Sequence, residues 1–216
     1  MKKIYFSLAV LVLATLACQL FSGPATQVPP SNRTILYQDD FSDSNSGWPV
    51  TSDASKSASY TADGRYQLTA LEAQQDIWAH PGQSFSDVSL EVDAVKAGGS
   101  DNNNFGLICR FVDDGNFYFF WISSDGYQVI GKYQGGQATF LSAEKMQSSS
   151  AIQQGAASNH LRADCVGSSL TLYVNGTQVA SASDTSFSKG DVGVMIGTFD
   201  EPNVAIAFDN FVAYQP

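Results

Sequence analysis

Apolar and polar residues alternate over short stretches of this chain, and turn-forming pairs punctuate those stretches. Leu170, Leu172 and Val174 alternate with Thr171 and Tyr173, and Asn175-Gly176 follows at once. Leu90, Val92 and Ala94 alternate with Ser89, Glu91, Asp93 and Val95. A period of two is that of a β-strand with one buried and one exposed face. Asp63-Gly64, Asp114-Gly115, Asp125-Gly126, Gly135-Gly136 and Gly167-Ser168 separate further apolar runs. Such pairs favour tight hairpins. About a dozen closely spaced strands of this kind predict an all-β fold, a sandwich of two packed antiparallel sheets. Helical signal is thin, and the serine run within 140–154 reads as loop. No internal repeat or second linker interrupts 35–216, which suits one domain.

Ahead of that domain, Lys2 and Lys3 precede an apolar run from Ile4 to Ala17, broken only by Ser7 and Thr15. The run is shorter than the roughly 20 residues of a membrane span. It has the length of a secretory leader. It closes on Ala14-Thr15-Leu16-Ala17-Cys18, which resembles the bacterial lipobox. The resemblance implies a signal peptide over 1–17 and a lipidated Cys18. It also implies a Pro/Ser/Thr-rich tether over 18–34, and an exported protein at the cell surface or in the periplasm, held to the membrane through its lipid anchor. An ordinary signal peptide followed by an unmodified Cys is the alternative. Cleavage would remove two lysines and no acids, moving the net charge from −10 to −12. So acidic a chain lacks the basic footprint that nucleic acid requires. With Cys18 assigned to lipid, Cys109 and Cys165 remain. An oxidising compartment makes a Cys109–Cys165 disulfide the natural pairing, with two buried thiols as the alternative.

Phe105 to Phe111, Asn116 to Ser123 and Asp125-Gly126-Tyr127 resemble the central hairpins of laminin-G-like domains. His160 to Val166 and Leu170 to Gly176 extend the likeness. Val192-Gly193-Val194, Gly197-Thr198-Phe199 and Ala207 to Phe211 are similar to the closing strands of concanavalin A-like domains of bacterial surface proteins. The resemblance covers 37–214 and implies a concanavalin A-like jelly roll. That fold serves lectins, glycosidases, adhesion modules and spacers alike, so function must be argued from residues.

His80 and His160 sit beside no nucleophile or zinc motif and read as surface or edge residues. A glycosidase needs two carboxyl groups. Glu91 and Asp93, two apart on one strand face, are the candidate pair. The laminarinase-type relatives of the fold place a further Glu two or three positions beyond, where this chain has Val95 and Lys96. Alternating charge on a solvated face explains the pair more simply.

For binding, an inward Cys109 makes Leu107 and Phe111 inward and Arg110 outward. An inward Cys165 makes Ala163 inward and Arg162 outward. A loop over Asp113 to Asn116 pairs Val112 with Phe117 and Arg110 with Phe119. Tyr118, Phe120 and Ile122 then enter the core, and Phe119 and Trp121 lie exposed beside Arg110. Arg110, Phe119, Trp121 and Arg162 on one face would suit an extracellular carbohydrate, by ring stacking and planar donors. The competing expectation is that a loop within 140–155 covers the rings. The chain therefore reads as a non-catalytic carbohydrate-binding module. The alternatives are a glycosidase-like enzyme, or a structural or adhesion domain contacting protein. No cofactor is required. Several relatives of the fold hold a structural Ca²⁺ between first and last strands, where Asp40 and Asp209 lie here.

Overall fold

A computed structural model describes residues 33–216. Cys18, the leader and most of the tether lie outside the described residues. Among the described residues every regular element is a strand. They begin with β1 (Ile35–Asp39), β2 (Thr51–Ser52), β3 (Lys56–Tyr60), β4 (Tyr66–Ala70), β5 (Asp76–Ala79) and β6 (Ser84–Phe85). The chain continues through β7 (Val88–Gly98), β8 (Asn103–Asp113), β9 (Asn116–Ile122), β10 (Tyr127–Gln134), β11 (Gln137–Phe140) and β12 (Gln147–Ser148). It ends with β13 (Asn159–Val166), β14 (Ser169–Val174), β15 (Thr177–Ser183), β16 (Gly190–Thr198) and β17 (Val204–Tyr214).

Two antiparallel sheets result. The first runs β15-β14-β13-β7-β17-β4-β3-β2, with β1 also on β17. The second runs β11-β10-β9-β8-β16-β5, with β12 on β10 and β6 on β16. Alternation decides what lies between them. Leu90, Val92, Leu161, Ala163, Leu172 and Phe208 point inward from the first sheet, and Leu107, Phe120, Ile122, Val194 and Ile196 from the second. Each is essentially excluded from water, which is the main driving force for closing the sandwich. Cys109 of β8 and Cys165 of β13 form a disulfide through this core, tying one sheet to the other across 6.9 Å between Cα atoms.

The β8–β9 hairpin departs from the expected register. Asp113 pairs with Asn116, as the turn requires, but Cys109 pairs with Tyr118. Three β8 residues, Arg110 to Val112, therefore face Phe117 alone. Arg110 makes the bulge by taking φ = +51°, a left-handed conformation that side chains disfavour. Two extra residues preserve parity on β9, so Tyr118, Phe120 and Ile122 do point into the core. On β8 the expected faces change. Phe111 joins the outer aromatic cluster rather than the core. Arg110, expected outside, is buried at 2% exposure. Its guanidinium donates to the carbonyls of Ser86 and Phe187, both at 2.9 Å, and to Asp87 at 3.1 Å.

Candidate functional site

The outer face of the second sheet carries an aromatic floor. Register places Trp121 opposite Gly106 and Val129, and Phe119 opposite Ile108 and Gly131. Gly131 makes room for one of these rings. A Cβ on Gly131 would stand 2.2 Å from Phe119 Cζ, so Phe119 occupies the space that a side chain there would need. Phe119 and Trp121 stack with centroids 3.8 Å apart, and the Trp121 indole N–H donates to Met195 Sδ at 2.8 Å.

This face is concave. Three strands separate β5 from β10, yet Trp78 of β5 lies 6.1 Å from the Tyr133 ring of β10, centre to centre. The Tyr133 hydroxyl donates to the Asp76 carboxyl, and the Trp78 indole donates to Asp114 at 3.1 Å. Both contacts strap the rolled sheet across its own floor. Burial raises the Asp76 pKa above the carboxylate norm, although Tyr133 and the Asn104 amide partly offset it. Burial and the neighbouring Asp76 push the Tyr133 hydroxyl up as well.

The expected four-residue face does not assemble. Phe119 is fully buried and Trp121 is 4% exposed, beneath Trp78, Tyr133, Phe140 and Met146. The rings are covered, as the competing expectation had it, by Phe140 at the start of the 140–155 segment and also by β5 and β10. Arg110 is enclosed at the bulge, and Arg162 lies on the first sheet. What stays open is a cleft lined by Trp121, Ala138, Thr139, Phe140, Ala143 and Glu144. It pairs two aromatic rings, perpendicular at 6.1 Å, with one hydroxyl and one carboxylate.

The outer face of the first sheet is a lattice of charges. Antiparallel pairing of β7 with β13 sets Asp93 against His160, Glu91 against Arg162, and Ser89 against Asp164. His160 Nδ1 is 2.8 Å from Asp93 and its Nε2 is 3.7 Å from Glu91. Arg33 bonds Glu91, while Arg162 pairs with Asp164 at 2.6 Å and lies 4.1 Å over the Tyr173 ring. Burial opposes ionisation of Glu91, but His160 and Arg33 outweigh it and hold its carboxyl below the usual range. A glycosidase acid needs the opposite shift, so Glu91 is poorly suited to protonate a leaving group.

Glu91 and then Asp93, against the opposing effect of burial, pull His160 up to about 9. Its folded pKa exceeds the unfolded value of roughly 6.5. Its contribution to stability is therefore complete below about pH 6.5 and fades as pH rises through 9. An imidazole NMR titration is expected to show a midpoint near 9. A midpoint near the ordinary value of roughly 6.5 would contradict the lattice.

Asp40 accepts from the Ser42 backbone N–H and hydroxyl, and Asp209 faces Asp93 across β17 and β7. Burial raises the Asp209 pKa, and nearby Asp93 and Asp40 add to it. Among the described residues no group of three or more His, Cys, Asp or Glu gathers to hold a metal ion. Asp40 and Asp209 do not make a calcium cage by themselves.

No family model matches the chain, and no curated protein matches it. Solved structures match its fold. A carbohydrate-binding module, CBM66, from Bacillus subtilis gives a TM-score of 0.62 at 19% identity, over 85% of this chain and 98% of that one. A Bacillus subtilis protein of unknown function with a galectin-like fold also gives 0.62, at 11% identity over 84% and 96%. The GH43 protein BlXynB from Bacillus licheniformis gives 0.59 at 14% identity, over 82% of this chain and 39% of that one. At such identities the likeness shows the fold alone, a jelly-roll β-sandwich.

Proposed function

We propose that this protein is an exported, lipid-anchored, non-catalytic module that binds extracellular carbohydrate through a concanavalin A-like sandwich. The observation that carries the reading is the open cleft on the concave sheet. Trp121, itself only 4% exposed, and the ring of Phe140 line it together with Thr139 and Glu144. Apolar sugar faces pack on aromatic rings, and hydroxyls pair with a carboxylate. The one reported fold neighbour named for carbohydrate binding, CBM66, supports the same reading.

Phe140→Ala is expected to weaken binding of the best oligosaccharide in a calorimetric screen by about 30-fold, the value of one aromatic hot spot. Trp121→Ala should abolish it, with some loss of stability because Trp121 also packs on Phe119 and Met195. Unchanged affinity in a folded Phe140→Ala variant would move the site elsewhere. For the anchor, Cys18→Ala is expected to shift the protein from the membrane to the soluble fraction. Unaltered fractionation would leave the lipid reading without support.

A further inference from the structure

A second cleft opens on the flank of the sandwich, between β15 of one sheet and β10 and β12 of the other. Its polar lining is Gln128, Ser142, Gln147, Ser148, Gln178 and Ser181, and no charged side chain borders it. Its volume, about 500 Å³, falls within the roughly 300–1,000 Å³ of small-molecule sites.

Gln128 marks this cleft as more than a surface irregularity. The residue is 6% exposed, and its Oε1 is fully buried with no hydrogen-bond partner among the described residues. Buried polar side-chain atoms nearly always have a partner, and Gln128 lines the cleft, so a turn of its carboxamide toward a group in the cleft would satisfy the orphaned Oε1. The chemistry of that group follows from the lining. Amides and hydroxyls each donate and accept, as sugar hydroxyls do. An anion would call for Arg or Lys, and a hard cation for carboxylates. Neither is here.

The flank cleft adjoins the aromatic one. Ala143 lines both, with Ser142 beside it in the flank cleft and Glu144 beside it in the aromatic cleft. Ala143 is thus common to the two clefts. We infer that the two clefts are successive subsites for one neutral oligosaccharide, which packs on Trp121 and Phe140, crosses Ala143 and pairs with Gln128. This rests on the sugar-binding reading above, and it narrows the ligand to a chain several units long rather than a lone terminal sugar.

The test is calorimetry on the full-length protein with xylo-, gluco- and galacto-oligosaccharides, from disaccharides to octasaccharides. Affinity in the binding series is expected to rise with length by roughly tenfold or more, as one or two added hydrogen bonds would give. Gln128→Leu and Ala143→Trp should each flatten that rise. Gln128→Leu replaces an orphaned buried amide with an apolar group of similar size, so it is expected to fold, and a thermal melt checks this. Binding that Phe140→Ala weakens but that does not strengthen with length would overturn the two-subsite inference alone. So would a rise with length that survives both substitutions. No binding at any length would remove the sugar reading and this inference with it.

Discussion

Removing the Cys109–Cys165 bridge, by Cys109→Ala with Cys165→Ala, is expected to lower the unfolding free energy by about 4 kcal/mol. The magnitude follows from the chain it closes. The two cysteines are 56 residues apart, and releasing a loop of that size returns substantial entropy to the unfolded chain. The position adds to the effect. β8 is central in the second sheet and β13 lies beside β7 in the first, so the bridge joins interior strands rather than frayed edges. For a domain of this size the loss corresponds to a fall of roughly 8–16 °C in melting temperature. Urea titration of the parent and the double variant measures it directly. Both cysteines are fully buried, so a reductant should act on opened molecules and give a rate that rises with denaturant. A double variant within about 1 kcal/mol of the parent would mean that packing alone registers the two sheets.

Much of this architecture is legible in the sequence because it rests on period-two alternation. The inward faces of β7, β13 and β14 are the ones that Leu90, Ala163 and Leu172 announce. The disulfide joins the two cysteines that remain once Cys18 is set aside for lipid, the pairing expected of an exported chain. The inward face of β9 also survives, because the bulge on β8 adds two residues and two steps restore parity. Other features are invisible for identifiable reasons. No glycine marks the bulge, since Arg110 itself adopts the left-handed turn, so nothing local warns that the arginine enters the molecule. The covering of Trp121 depends on curvature that brings Trp78 to Tyr133 across three intervening strands. That is a property of the whole sheet and not of any segment. His160 reads as an ordinary strand-end residue until the register of β7 against β13 sets it between Glu91 and Asp93. The orphaned Gln128 has no sequence signature either, because glutamine at a strand position usually faces water.

Arg110→Met is expected to destabilise the protein by about 3–5 kcal/mol, comparable to the loss of the disulfide. The methionine keeps much of the length and apolar stem but removes every donor. The carbonyls of Ser86 and Phe187 would lose the partner that holds the link before β7 and the segment before β16 against the bulge. A hydrogen bond to a charged group contributes about 1.5–3 kcal/mol, and two such bonds would be lost. The left-handed backbone at position 110 would remain, now without the contacts that hold it there. Arg110→Lys should fall between parent and methionine, because one ammonium cannot reproduce the planar fork that reaches three acceptors. Asp87 makes the informative contrast. Its side chain is 53% exposed, so its charge is screened and the pair is worth roughly 0–1 kcal/mol. Asp87→Asn also keeps an oxygen for the Gly167 backbone N–H, 2.9 Å away in the parent. Urea unfolding of the three variants should therefore rank Met as the most damaging, then Lys, with Asn near the parent. If Asp87→Asn proved as damaging as Arg110→Met, the ion pair rather than the two carbonyl bonds would be what fixes the bulge.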